Sequence, residues 1–318
     1  MIYTVTLNPA LDRAVTVPGL STDDTVRVLE ERLYAAGKGI DVSRVVHELG
    51  GRSVTLGLVG GYNGLTLEGL LINAGVLTHF TRIAGETRTN IILKEASSGR
   101  QYVIAAAGPE IQASEIGELY HTILSVEDMD HLVLSGSLPR GVSPNLYGQL
   151  ILAGRKKRSF IVLDADNAAL KEAVAFQPSL IKPNLFELSR LVGRAIETEA
   201  EILAACAGLH EQGIAFVLVS MGGRGMILSG LEARFRAEPP PVKVESTVGA
   251  GDSSVAGFVL AHAQGKEPAE CLRLACAAGT ATVQTPGTEL CRRDEVERLL
   301  PLIRVTTLDP PSSKEAGG

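Results

Sequence analysis

The sequence predicts an α/β fold, a mostly parallel central sheet with helices on both faces and a small β-sheet lid beside it. Three observations predict this. Apolar, strand-like runs alternate with segments of helical period: Ser53–Val59 then 65–74, His131–Ser135 then 146–152, then Phe160–Asp164. Short, nearly continuous apolar strands separated by amphipathic helices suit a parallel sheet covered on both sides. Two stretches, 25–34 and 87–105, break the alternation and read as strand without an intervening helix, the second with a hairpin turn at Ser97-Ser98-Gly99. The chain's 318 residues, 45% hydrophobic and 21% charged, supply a large core and exclude disorder.

Taken in order, residues 1–7 alternate as a first strand and lack the basic segment, long apolar run and cleavage site of a secretory signal. That strand is expected to end at Asn8-Pro9-Ala10-Leu11-Asp12. In open α/β sheets ligands sit beyond the carboxyl ends of strands, so Asp12 is expected at the crevice, either binding two sugar hydroxyls or capping the strand end. Ala36-Gly37-Lys38-Gly39-Ile40-Asp41 opens a helix whose core face is Ile40, Val45 and Leu49. The lid is expected from about 13–35 and 86–106, inserted in one domain that spans 1–318. Later come a strand pair, Phe216–Ser220 and 225–229, the Pro239-Pro240-Pro241 segment and three helical patterns. The Pro/Ser/Gly-rich stretch 309–318 reads as a frayed tail.

Composition bounds the function. A formal net charge of −6 argues against a protein that binds nucleic acid by releasing counterions from phosphates. No run reaches the roughly 18 to 20 apolar residues of a membrane span, so a soluble, cytoplasmic protein is expected. Cys206, Cys271, Cys276 and Cys291 show no Cys-x-x-Cys spacing and read as buried free thiols.

The most informative stretch is 242–265, which reads as strand, then Ser246-Thr247-Val248-Gly249-Ala250-Gly251-Asp252, then a helix from near Ser253. Glycines between a strand and a helix let the backbone approach a ligand, and the first N–H groups of the helix lack internal partners, so Gly249, Ala250 and Gly251 form an anion hole. Asp252 beside it can take a proton from an attacking hydroxyl, the pairing that phosphoryl transfer needs. The alternative is a tight turn with Asp252 as a helix cap. Neither Gly37-Lys38 nor Gly265-Lys266 completes a P-loop, and Gly249-Ala250-Gly251 is not followed by the third glycine of a dinucleotide fingerprint.

Arg27, Arg88 and Arg140 each lie beside a turn or a lid strand, where converging guanidinium forks match a substrate phosphate; singly, each reads as solvated. Lys182-Pro183-Asn184-Leu185-Phe186-Glu187 sets Asn184 and Glu187 one turn apart, either orienting magnesium-bound phosphates through water or forming a capping box. Ser220-Met221-Gly222-Gly223-Arg224-Gly225 is a turn between strands, a phosphate contact or a plain hairpin.

The ordered set Thr-Leu-Asn-Pro-Ala-Leu-Asp, Gly-Lys-Gly, Gly85-Glu86-Thr87-Arg88, Ser135-Gly-Ser-Leu-Pro-Arg-Gly141, Lys-Pro-Asn-x-x-Glu and Ser-Thr-Val-Gly-Ala-Gly-Asp resembles the ribokinase-like (PfkB) carbohydrate kinases from residue 1 to about 305. Within them it is similar to the phosphofructokinase and tagatose-6-phosphate kinase branch. Arg27, Glu95-Ala96-Ser97, Pro239–Lys243 and Gly287–Cys291 look most like the minor PfkB-type 6-phosphofructokinases, Ala35–Gly39 like fructose-1-phosphate kinases, and Gly85–Arg88 like tagatose-6-phosphate kinases.

The resemblance implies ATP and Mg2+ as cofactors, a ribokinase-like fold, and a homodimer clasped through the lid. It implies Asp252 as catalytic base and Lys182, Asn184, Glu187, Ser220, Gly222, Gly225 and Thr247 around ATP and magnesium. Asp12, Gly37, Lys38, Gly39, Asp41, Arg88 and Asn90 would contact the sugar, with Ser137 and Arg140 at the crevice and Arg27 on a 6-phosphate. Ser246 and Val248 would hold a monovalent cation, K+, through their carbonyls. The expected reaction is phosphorylation of fructose 6-phosphate; the alternatives are a 1-phosphofructokinase, a tagatose-6-phosphate kinase or a catalytically silent sugar-phosphate sensor. Asp41 departs from the family's usual Asn, exchanging a side chain that donates and accepts for one that, ionised, only accepts.

Overall fold

The computed structural model describes residues 1–308. In chain order it runs β1 (Ile2–Thr6), β2 (Ala10–Val17), β3 (Glu30–Ala36), α1 (Lys38–Glu48), β4 (Ser53–Val59), α2 (Gly61–Asn73), β5 (Leu77–Arg82), β6 (Arg88–Glu95), β7 (Gln101–Ile104) and α3 (Ala113–Ser125). It continues β8 (His131–Ser135), α4 (Leu146–Lys156), β9 (Phe160–Asp164), α5 (Asn167–Val174), β10 (Leu180–Ile181), α6 (Leu185–Val192), α7 (Glu199–Glu211), β11 (Phe216–Ser220), β12 (Met226–Gly230) and β13 (Arg234–Glu238). Then come α8 (Ala250–Ala263), α9 (Pro268–Thr282), α10 (Arg293–Leu299) and β14 (Arg304–Leu308).

The large sheet has the order β14-β13-β12-β11-β10-β9-β8-β1-β4-β5, parallel from β5 to β11 and antiparallel over β12, β13 and β14. Its central strands are buried on both faces, and the period of two divides their side chains between two cores. In β8, Leu132 and Leu134 enter one core with Leu119, Tyr147 and Leu150, while Val133 enters the other with Val46, Phe258 and Leu272. In β9, Ile161 and Leu163 divide from Val162 in the same way. Each such side chain contributes about 1.5–3 kcal/mol of transfer free energy, which fixes the register.

The lid is a separate sheet of order β3-β2-β6-β7. The turn at Ser97–Gly99 joins β6 to β7, with the Gly99 N–H donating to the Glu95 carbonyl. Three expectations need correction. Asp12 does not end a strand of the main sheet: it lies within lid strand β2, opposite Tyr34 and Asn90, because the chain passes through Asn8-Pro9 straight into the second sheet. Within 25–34 only the part from Glu30 onward is strand. Residues 242–245 form no strand, since the proline run leads into the loop before α8. That helix begins at Ala250, which puts Asp252 inside its first turn. The four cysteines are free and buried as expected. The stretch 309–318, read as a frayed tail, lies outside the described residues. No helix among the described residues is long and apolar enough to cross a membrane.

Candidate active site

A cleft of about 720 Å³ opens at the carboxyl ends of the parallel strands. Its floor is the start of α8. Gly249 occupies the N-cap in the left-handed region at φ 76°, and a Cβ there would lie 2.5 Å from Leu290 Cδ2. Glycine alone makes that turn without strain. The turn aims the first N–H groups of a fourteen-residue helix into the cleft, where the helix dipole adds positive potential.

Behind this loop stands a network of charge. Asp164, at the end of β9 and 1% exposed, pairs with Lys38 Nζ at 3.3 Å and Lys182 Nζ at 3.4 Å. Burial alone would push Asp164 up, but the two lysines outweigh it and hold its carboxyl below the usual range. Lys38 is held charged: against the cost of burial stand Asp164, Asp252 and Glu187.

Asp252 is 8% exposed and titrates well above an ordinary carboxylate, first because it is buried and then because Asp164 and Asp41 repel its charge, with Lys38 and Lys182 opposing. Its Oδ1 and the Oδ2 of Asp164 are buried and have no hydrogen-bond partner among the described residues. A carboxylate tuned upward, with a free oxygen in a cleft, is equipped to accept a proton.

The opposite wall combines caps with turns. Asn184 Oδ1 accepts from the Glu187 N–H at 2.9 Å while the Glu187 carboxylate accepts from the Asn184 N–H at 2.7 Å. The capping box is therefore real, and both residues still line the cleft. Ser220, Gly222 and Gly225 come from the turn between β11 and β12, and Thr247 from the loop before α8. Ser246 and Val248 do not line the cleft: the Ser246 hydroxyl donates to the Gly287 carbonyl at 2.7 Å and accepts from the Val248 N–H at 3.2 Å.

The lid side is assembled by long-range contacts. Asn90 Nδ2 donates to Asp12 Oδ1 at 2.8 Å across β2 and β6. Arg88 donates to the carbonyls of Asn8 and Ala106 at 2.9 and 2.8 Å. Burial raises Asp12, with Asn90, Arg88 and Arg44 opposing. Asp41 pairs with Arg44 at 3.1 Å. Gly37 and Gly39 have packing reasons of their own, because α1 starts directly over β1 and a Cβ on Gly39 would lie 2.6 Å from Thr6 Oγ1.

The structure thus gathers Lys38, Lys182, Asn184, Glu187, Ser220, Gly222, Gly225, Thr247, Gly249, Ala250, Gly251 and Asp252 around one cleft. Asp12 lies on β2, Arg88 and Asn90 on β6, and Asp41 in the first turn of α1; with Gly37 and Gly39, they are not among the residues that line this cleft. Ser137 and Arg140 are exposed in the loop after β8, with Arg140 Nε donating to the Gly108 carbonyl at 3.2 Å. Arg27 is not brought in: it is exposed, in the irregular segment between β2 and β3. Sequence reasoning assigned no role to Asp164, whose signal was its place at the carboxyl end of a strand. It also missed the apolar wall from Pro239 to Val242 and the α9 face of Cys276, Gly279 and Thr280. The small residues of α9 were the available signal there, since a Cβ on Gly279 would lie 2.3 Å from Ser254 Oγ.

Comparison with known proteins fits this geometry. The chain is 35% identical over 308 residues to a 1-phosphofructokinase of Bacillus subtilis (strain 168), covering 97% of this chain and 100% of that one. It is 34% identical over 300 residues to the ATP-dependent 6-phosphofructokinase isozyme 2 of Escherichia coli (strain K12), covering 94% and 97%. The crystal structure of phosphofructokinase-2 from Escherichia coli in complex with potassium superposes with a TM-score of 0.90 at 34% identity, covering 95% of this chain and 98% of that one. The model of the pfkB family carbohydrate kinases matches residues 5–295, and the chain belongs to that family.

Proposed function

We propose that this kinase transfers the γ-phosphoryl group of ATP to the free primary hydroxyl of a fructose phosphate, fructose 6-phosphate first, giving fructose 1,6-bisphosphate. One observation carries the reading: the unpartnered, upward-shifted Asp252 carboxylate sits at the N-terminus of α8, in the cleft that also holds Lys38 and Lys182. Asp252 takes the hydroxyl proton as the oxygen attacks phosphorus, and the Gly249, Ala250 and Gly251 amides stabilise the charge spread over the transferred group. The 1-phosphate is the second reading, favoured by a relative named 1-phosphofructokinase at 35% identity, against 34% for the one named 6-phosphofructokinase isozyme 2. Fructofuranose carries its C1 and C6 substituents at opposite ends of the ring, so both esters present a hydroxyl at one end and a phosphate at the other, and both yield the same bisphosphate.

ATP occupies the cleft between the Pro239–Val242 wall and α9, with Lys182, Asn184, Ser220, Gly222, Gly225 and Thr247 around it. The residues suit Mg2+ that arrives with the nucleotide. Orphaned carboxylate oxygens on Asp164 and Asp252 are available, yet no group of three His, Cys, Asp or Glu among the described residues forms a protein-only cage. That is the usual pattern for an ion that keeps its waters and phosphate ligands, and Glu187 would hold it through water. Mg2+ supplies charge neutralisation on the phosphates. A monovalent cation, K+, would be held outside the cleft by the carbonyls of Ser246 and Val248.

On the sugar side, Asp12 and Asp41 accept sugar hydroxyls, aided by Gly37, Gly39 and Asn90. Arg88, Arg140 and Arg27 meet the phosphate, Arg27 only once its segment folds over the site. Val28, Leu29, Ile91, Val103 and Ile104 are exposed apolar residues of the lid, which supports a homodimer through that face in a cytoplasmic enzyme. The test is an assay of ADP release with MgATP against fructose 6-phosphate, fructose 1-phosphate, tagatose 6-phosphate, fructose and ribose. Turnover confined to the phosphate esters supports the reading; binding without turnover favours the silent sensor.

A further inference from the structure

Asp164 stands at the back of the cleft, fixed by the strands on either side of it. It ends β9; its carbonyl accepts from the Gly136 N–H at 3.0 Å, just beyond β8, and the Leu163 carbonyl before it accepts from the Lys182 N–H at 3.1 Å, just beyond β10. The Asp164 side chain is 1% exposed and lines the cleft together with Lys38, Lys182 and Asp252.

The two lysines reach it from different elements. Lys38 opens α1, the helix whose start also carries Gly39 and Asp41, proposed for the sugar. Lys182 follows β10 and leads into the cap formed by Asn184 and Glu187, proposed for the nucleotide. Both Nζ atoms pair with the same oxygen, Oδ1, at 3.3 and 3.4 Å, while Oδ2 is buried with no partner among the described residues. A buried carboxylate that served stability alone would do better with both oxygens engaged, because each unsatisfied one adds to the cost of burial. Sharing a single oxygen instead draws two like charges to one point, an arrangement that needs the anion between them.

That point adjoins the start of α8. A Cβ on Gly251 would stand 3.3 Å from Lys182 Nζ, so the ammonium lies directly against the first turn of the helix, one residue before Asp252. Lys38, 38% exposed, meets Asp164 and still faces the open cleft. Without Asp164 the two ammonium groups repel, and the more exposed Lys38 is the one free to leave.

We propose that Asp164 is a positioning residue for phosphoryl transfer: through Oδ1 it holds Lys182 against Gly251 and Lys38 beside it, so that one cation from each substrate's side meets the group passing between them. This rests on the proposed function and deepens it. Asp164 acts through the lysines rather than on a substrate. Cations held in place before the reaction stabilise charge on the moving group without reorganisation, so the benefit falls on rate more than on affinity.

The test is steady-state kinetics with MgATP and whichever fructose ester the wild type turns over, on the wild type, Asp164→Asn, Lys182→Met and Asp164→Asn/Lys182→Met, with rates taken per folded enzyme from circular dichroism at the assay temperature. Asp164→Asn is expected to lose about 10² in kcat with both KM values within roughly threefold. In the Lys182→Met background the same substitution is expected to cost less than about tenfold, because one of the groups it acts through is already gone. A merely structural role does not produce that shortfall. Should Asp164→Asn fail to fold, the double variant removes both members of the buried pair, and its kcat against Lys182→Met alone decides. A single-variant kcat within about threefold of wild type, or a loss in the Lys182→Met background of about 10² or more, overturns the inference alone. So does recovery of Asp164→Asn in excess Mg2+, which would make the carboxylate a metal ligand instead. A wild type silent on fructose 6-phosphate and fructose 1-phosphate overturns the proposed function, and the inference with it.

Discussion

The two sides of the cleft are held together in different ways. The side proposed for the nucleotide is built from short continuous pieces of chain: seven residues from Ser246 to Asp252, six from Lys182 to Glu187, six from Ser220 to Gly225. Its groups are fixed by secondary structure, as where Asn184 and Glu187 cap a helix and Gly249 starts another. The side proposed for the sugar is assembled from residues far apart in sequence, Asp12 on Asn90 and Arg88 on Asn8 and Ala106, and depends on the lid being in place. A side fixed by backbone geometry fails through the loss of chemistry when a single group is altered. A side fixed by cross-sheet side-chain contacts fails gradually, through affinity.

The largest expected effect lies at the junction of the two. Asp252→Asn keeps the shape of the loop and removes the proton acceptor, so kcat falls by about 10³ or more while the KM for ATP stays within roughly twofold, read by steady-state kinetics. Asp164→Asn comes next. It leaves Lys182, 5% exposed, buried without its anion, and removing one partner of a buried pair costs about 3 kcal/mol, seen as a lower urea midpoint. Gly249→Ala forces a Cβ into the left-handed region beside Leu290 and costs roughly 1–2 kcal/mol, with kcat falling as the amides of α8 are displaced.

On the sugar side Arg88→Met is expected to raise the KM for fructose 6-phosphate about tenfold, with the KM for ATP unchanged. A matching loss in ATP binding would show that the two sides are one mechanical unit. The smallest effect is a control remote from the cleft. His131 Nε2 lies 2.9 Å from His262 Nδ1, and burial, then repulsion from His262, lowers His131 from 6.5 to about 4. A histidine kept neutral by folding gives stability that is full above 6.5 and is lost as pH falls through 6.5 toward 4. His131→Phe therefore flattens the acid limb of Tm by the equivalent of roughly 1 kcal/mol and leaves kcat unchanged.

Legibility follows the same division. The parallel sheet could be read because apolar strands such as His131–Ser135 and Phe160–Asp164 have both faces buried, a pattern written in consecutive residues. The loop from Ser246 to Asp252 could be read for the same reason. Asp12 was placed in the wrong sheet because Asn8-Pro9 looks like a strand end, and nothing local says that the chain enters a second sheet directly after it. The role of Asp164 was invisible because its two lysines lie 126 residues before it and 18 after it, and only the fold brings them together. Asp41 was visible as an oddity, whereas only the fold shows that its partner Arg44 also donates to the Ala35 carbonyl on the lid.

The central claim is that Asp252 is the base of a kinase acting on a fructose phosphate. The most direct measurement is ADP release with MgATP and fructose 6-phosphate or fructose 1-phosphate, in the wild type and in Asp252→Asn, with binding of both substrates confirmed for the variant. The account predicts turnover on at least one ester in the wild type and its loss by about 10³ in a variant that still binds ATP and sugar phosphate. Turnover that survives the substitution, or a wild type silent on both esters, would contradict it.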